Sequence, residues 1–143
     1  MKSIFLVVDE DPADRSRLGV ALRQFVPGAE VMEAATGLEA IRMLHERGAT
    51  PSLIFSAFRL GDMNAIELLG RIRQIAWLQQ PGAMIVDDNI SDRAVIDCYR
   101  LGAAGFLKKP VMGFELREAL RDFARPAVER RPAIGLKTDL RAA

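Results

Sequence analysis

Apolar residues in this chain form short unbroken runs. Between the runs lie longer stretches in which they recur every three or four positions. Ile4–Val8 is a continuous apolar run rich in branched side chains, as in a strand buried on both faces. Asp11 followed by Pro12 reads as a helix N-cap and first helical position. Leu18, Ala21, Leu22 and Phe25 then repeat at helical spacing until Pro27-Gly28 ends the segment. Glu30–Ala34 is a second short strand. Thr36 caps a helix whose inward positions are Leu38, Ile41 and Leu44, stopped by Gly48. Leu53–Phe58 is the third strand, and Ile66, Leu69, Ile72 and Ile75 mark the third helix. Ala83–Val86 is the fourth strand, followed by a helix from its Ser91 cap to Leu101 and Gly102. Gly105–Lys108 is the fifth strand. After Pro110 a last helix carries Leu116, Ala119, Leu120 and Phe123 on one face.

The order is strand then helix, five times over. Such alternation predicts an α/β fold, (βα)5, with a doubly wound five-stranded parallel sheet and right-handed crossovers. In open parallel sheets ligands sit beyond the carboxyl ends of the strands. The residues just after each strand therefore matter most. They are Asp9, Glu10 and Asp11 after the first, Ala57 and Phe58 after the third, Asp87 and Asp88 after the fourth, and Lys109-Pro110 after the fifth.

Composition narrows this further. The 143 residues fit one domain, half of them apolar and 27% charged, with a net charge of +1. No bulk charge argues for nucleic acid or a membrane surface. The charge is uneven, however. In residues 125–143 five basic side chains face two acidic ones, a local +3 that leaves −2 for the rest. We therefore divide the chain into a module over 1–124 and a basic Pro/Ala/Arg-rich segment over 125–143. That segment reads as a mobile tail, a partner-docking segment or the start of a linker. Cys98 is the only cysteine, which excludes an internal disulfide and a multi-thiolate zinc site. The short apolar start turns acidic at once, unlike a signal peptide, and no run approaches the roughly 18 apolar residues of a membrane span. A reducing, cytoplasmic setting is expected.

The first loop is acidic and has no glycine. A dinucleotide site on this architecture would need glycines there, so that the backbone could approach a pyrophosphate. Carboxylates instead attract a hard cation such as Mg²⁺. Three stretches then resemble one family. They are Val-Val-Asp9-Glu10-Asp11-Pro12, the segment from Pro51 through Ala57-Phe-Arg-Leu-Gly-Asp-Met63 to Leu69, and Leu101-Gly-Ala-Ala-Gly-Phe106-Leu-Lys-Lys109-Pro110. In this order they are similar to the acidic opening, third-strand loop and Lys-Pro signature of response-regulator receiver domains, over about residues 3–124. The resemblance implies a flavodoxin-like fold of the chemotaxis-receiver type and a role in two-component signalling. It implies that Asp9 and Glu10 are the Mg²⁺-holding pair, Lys109 the lysine that contacts a phosphoryl group, and Phe106 the switch aromatic. By position, Tyr99, Arg100 and Lys108 form the partner surface. A histidine kinase or downstream effector is the implied partner, and a homodimer could form through the fourth helix, fifth strand and fifth helix.

Two positions depart from the family pattern. The acceptor position is Ala57, whose methyl group has no nucleophilic oxygen to form an acyl phosphate. The hydroxyl position is Asp87, a negative charge where a donor to phosphate is expected. Ala57 is either natural loss, giving a pseudo-receiver, or an exchange of the acceptor in an ordinary phosphorelay regulator. Asp87 favours natural loss, because removing the acceptor does not require altering the hydroxyl too. Asp9 and Glu10 lose a third carboxylate at Ala57, so at best a weak Mg²⁺ site is expected. Two carboxylates 4 Å apart repel by roughly 4 kcal/mol at an effective dielectric near 20, so a counter-charge is needed. Lys109 is expected to neutralise Asp9 or Asp87. Asp87 itself is either a solvated loop residue or a stand-in for the missing phosphoryl group, drawing in Lys109 and the fourth loop. Ser56 is not expected to replace the acceptor, and His45 reads as a surface residue near a helix C-terminus. The expected function is protein binding without turnover. Its competitors are a phosphotransfer protein and a dimerisation module.

Overall fold

The structure, a computed structural model, describes residues 2–124. The tail expected over 125–143 and the side chain of Phe123 lie outside the described residues. The elements run β1 (Ile4–Val8), α1 (Pro12–Phe25), β2 (Glu30–Ala34), α2 (Gly37–Arg47), β3 (Leu53–Ser56), α3 (Ala65–Arg73), β4 (Gly82–Asp87), α4 (Asp92–Arg100), β5 (Ala103–Lys108) and α5 (Gly113–Ala124). The strands form one parallel sheet in the order β2-β1-β3-β4-β5. The chain first builds outward from β1 to β2 and then reverses, so β1 and β3 flank the topological switch point.

Alternation along the buried strands divides the core in two. Leu6, Val8, Ile54 and Ile85 face α2, α3 and α4, whose Leu44, Leu68, Ile72 and Cys98 meet them. Phe5, Val7, Phe55, Val86 and Leu107 face α1 and α5 through Leu18, Leu22, Leu116 and Ala119. The helices start where side-chain caps allow. Asp11 accepts from Ala13 and Asp14 N–H ahead of α1, Thr36 from Glu39 ahead of α2, and Ser91 from Ala94 ahead of α4. Gly48 ends α2 at a φ of 64°, the left-handed conformation that favours glycine.

Four expectations need correction. Leu38 is 55% exposed, because the inward stripe of α2 is Gly37, Ala40 and Leu44. A Cβ on Gly37 would collide with the Met63 side chain, so small residues let α2 approach the loop after β3. The third strand ends at Ser56. Ala57 N–H still donates to Val8 C=O, but Phe58 N–H turns to the Asp87 carboxylate. The third helix ends at Arg73, and Ile75 follows in turns closed by bonds to residues three back. The fifth strand begins two residues earlier than expected, at Ala103.

At the amino-terminal side of the sheet Arg73 acts as a staple. Its guanidinium donates to Leu101 C=O at 2.8 Å, Gly102 C=O at 3.2 Å and Pro81 C=O at 3.1 Å. This ties α3 to the turn between α4 and β5. Among the described residues no helix is long and apolar enough to cross a membrane.

Candidate functional site

The register sets the site. Val8 is level with Ser56, and Ser56 with Ile85. The residues that follow, Asp9 and Ala57, therefore leave neighbouring strands side by side, and adjacent strands lie only about 4.8 Å apart. Asp9 is 6% and Ala57 4% exposed. Lys109 closes the cluster from the end of β5, where the Lys109–Pro110 peptide bond is cis.

Lys109 Nζ donates to Asp9 Oδ2 at 2.7 Å and to Asp14 Oδ2 at 3.0 Å. The expected pairing with Asp9 is present. The alternative with Asp87 is not, and Asp14 takes that place. Burial works to lower the Lys109 pKa, but its hydrogen bonds to Asp9 and Asp14 outweigh it, and the ammonium is held above its ordinary range. The hydrogen bond from Lys109 is the main cause holding Asp14 below the ordinary aspartate range. Asp9 is committed on its other oxygen as well, which accepts Asp11 N–H at 2.9 Å. Its backbone carbonyl accepts from Arg15 at 2.6 Å.

The opposite side of the cluster is built differently. Asp87 Oδ2 accepts Phe58 N–H at 3.0 Å, and Oδ1 accepts Asp88 N–H at 2.8 Å and Asn89 N–H at 3.3 Å. Burial would raise this carboxyl, but the amides of Phe58 and Asn89, with the side chain and amide of Asp88, prevail and hold it below its ordinary value. The Asp87 carboxylate is thus neither free in solvent nor paired with the Lys109 ammonium.

The remaining candidates are dispersed. Glu10 is exposed, its carboxylate lying against the loop at Gly61. Phe106 is half-buried against the core under α4, and its ring lies 5.2 Å from that of Tyr99. Tyr99 is half-buried, while Arg100 and Lys108 are exposed on the same side. Ser56 is buried and donates to Ala57 C=O at 2.8 Å. His45 is exposed and packs edge-on against Trp77 at 5.9 Å. Burial pushes the Cys98 thiol up to about 11, with Asp97 adding to it, so no thiolate nucleophile is present.

Two residues escaped the sequence reading. Asp14 lies in the first turn of α1, and only its position on the strand-tip side of that helix could have pointed to Lys109. Asp62 lies in the loop after β3 and caps α2 from outside. Its oxygens accept Gly37 N–H at 3.0 Å and Leu38 N–H at 2.9 Å. A cavity of about 280 Å³ opens beside Lys109, between α1 and α5, with Leu18, Phe25 and Leu116 in its wall.

The profile of the response regulator receiver domain matches residues 5–121. The chain belongs to that family. It is 28% identical over 123 residues to the positive alginate biosynthesis regulatory protein of Pseudomonas aeruginosa, covering 85% of this chain and 47% of that protein. It is 30% identical over 145 residues to the DNA-binding transcriptional activator DevR/DosR of Mycobacterium tuberculosis, covering 100% of this chain and 64% of that one. The chain therefore spans roughly half to two thirds of the length of these relatives. The chemotaxis response regulator CheY4 of Vibrio cholerae superposes with a TM-score of 0.74 at 23% identity, over 86% of this chain and 99% of that one. At that identity the likeness establishes the fold alone, and the receiver fold is flavodoxin-like as expected.

Receiver domains bind Mg²⁺ at the acceptor site. Here the donor set fits that ion poorly. Asp9 has one oxygen on Lys109 and the other on Asp11 N–H, Glu10 stands exposed, and the third position offers a methyl group. Among the described residues no three His, Cys, Asp or Glu side chains group as a metal site.

Proposed function

We propose that this receiver domain signals by binding a protein partner and does not itself take up a phosphoryl group. One observation carries the reading: the tip of β3, beside Asp9, presents the methyl group of Ala57. An acyl phosphate needs a carboxylate oxygen there. Lys109, the cation that would meet an incoming phosphoryl group, already has two carboxylates within hydrogen-bonding distance. Mg²⁺ binds at best weakly through Asp9 and Glu10. The partner is a histidine kinase or a downstream effector in the cytoplasm. It docks on the face bearing Tyr99, Arg100, Lys108 and Phe106, which is also the face through which a homodimer could form. The module over 1–124 carries the function, and 125–143 is an appended basic tail. Nothing in the site's chemistry calls for nucleic acid, membrane or catalytic turnover.

A second reading has support in the retained Asp9–Lys109 pair: an ordinary phosphorelay regulator in which the acceptor has been exchanged. Asp87 weighs against it, since the hydroxyl position has changed as well. Acetyl phosphate and Mg²⁺ followed by intact-mass measurement separate the readings. The chain should gain no phosphoryl adduct, and an adduct would end the proposal. If Ala57→Asp then forms a labile adduct, only the acceptor was missing and the second reading gains. If it stays unmodified, Asp87 has closed the site independently.

A further inference from the structure

The loop after β3 is fastened at two points by carboxylates. Asp87 holds its start through Phe58 N–H, across 29 residues of chain. Asp62, within the loop, caps the N-terminus of α2 through Gly37 and Leu38. Asp87 also gathers its own loop through the amides of Asp88 and Asn89, and its backbone carbonyl accepts Lys109 N–H at 3.0 Å. One residue thus ties together the tip of β3, the start of the loop leading to α4, and the end of β5.

The geometry points to Asp87 as a permanent anionic latch that fixes the face of α4 and β5 in a single arrangement. This rests on the reading of Ala57 as a position that takes no phosphoryl group. The argument is one of valence. A hydroxyl has a single oxygen and brings a proton of its own. To join Phe58 N–H to the amides of the α4 loop it would need an anion from elsewhere. An ionised carboxylate accepts only, through two oxygens pointing in different directions. It supplies the negative charge itself, and charge-assisted bonds to backbone amides are the stronger kind. The restraint passes to the partner face through covalent continuity. Asn89 leads in three residues to the start of α4, and in the last turn of that helix Tyr99 lies against Phe106 of β5. The face is therefore set by the amino-acid sequence, and partner occupancy follows concentration alone.

Amide hydrogen exchange on the whole chain, read residue by residue by NMR, tests this. Asp87→Thr should speed exchange at Phe58 and Asn89 by about tenfold or more, while the β1 amides of Leu6 and Val7 change by less than about twofold. The Tyr99 and Phe106 ring resonances should broaden or split as the face gains a second arrangement. Asp87→Asn keeps the shape and one accepting oxygen, and should give the same pattern more weakly. It serves also if the threonine variant folds poorly. Unchanged protection at Phe58 overturns the proposal. So does equal acceleration in every strand, or acceleration at Phe58 with no response at Tyr99 and Phe106. None of these readouts depends on a phosphoryl adduct, so the latch and the lost-acceptor reading can fail separately.

Discussion

The two halves of the strand-tip cluster hold negative charge in different ways. On the β1–β5 side the carboxylates of Asp9 and Asp14 share the ammonium of Lys109, and Asp14 also accepts from Arg17. On the β3–β4 side Asp87 has no cation at all and rests on three backbone amides. The first half rests chiefly on side-chain partners, with Asp11 N–H adding one main-chain bond to Asp9, so loss of the ammonium removes its main support. The second half is sustained by the path of the main chain. Between them lies Ala57, whose methyl group can join neither by charge nor by a hydrogen bond.

The largest effect should come from breaking the first half. Lys109→Met keeps the aliphatic stem but takes the ammonium from the carboxylate of Asp9, 6% exposed, leaving it Asp11 N–H. Stranding a buried charge costs several kcal/mol, and the partial exposure of this cluster reduces that to about 2 kcal/mol. Urea denaturation should show the midpoint fall, and adding Asp9→Asn should recover more than half of the loss. A double variant no more stable than Lys109→Met would mean that a stranded Asp9 charge is not the cause of the loss.

A smaller effect should follow from joining the halves. Ala57→Asp introduces a third carboxylate beside Asp9 and within reach of Asp87, destabilising the chain by about 1 kcal/mol in the absence of divalent cations. Millimolar Mg²⁺ should restore the thermal midpoint of that variant and leave the unsubstituted chain nearly unmoved. Equal Mg²⁺ responses in both proteins would show that Asp9 and Glu10 suffice for the ion, against the poor fit of the donors.

The same contrast explains what the sequence made legible. The alternation of runs and helical stretches revealed all five strands and helices in order. The loop residues Asp9, Ala57, Asp87 and Lys109 could be assigned to one place because a parallel sheet puts its strand ends together. Partners were harder. Asp14 lies 95 residues from Lys109, and only the packing of α1 beside the end of β5 brings them into contact. The partners of Asp87 are amides, which every residue carries and no sequence pattern marks. Leu38 misled for a related reason. Hydropathy follows large apolar side chains, whereas α2 buries its small Gly37 and Ala40 to come close to Met63. The third strand looked longer because Ala57 and Phe58 are apolar, yet a side-chain acceptor on the neighbouring loop takes the backbone out of the ladder.

The smallest expected effect concerns pH, and its sign follows from the shifts. Asp14 is held below the ordinary aspartate range, chiefly by Lys109. A depressed carboxyl adds stability that is present above the unfolded-chain pKa, near 4, and lost as pH falls through the folded value. Lys109, net of burial, is held above its ordinary range by Asp9 and Asp14. That contribution is complete below the unfolded lysine pKa, near 10.4, and lost only as pH rises past the folded one. The β1–β5 half should therefore contribute a constant amount between about pH 5 and 9. Asp14→Asn removes one of two partners from a largely solvated position, and should cost only a few tenths of a kcal/mol after screening. Stability curves of the two proteins should run parallel across that window and converge only as pH falls through the depressed folded value of Asp14, below which it is protonated in folded and unfolded chains alike. A gap that widened steadily from pH 5 to 9 would mean that the Asp14–Lys109 pair is not what sets the difference between the two proteins.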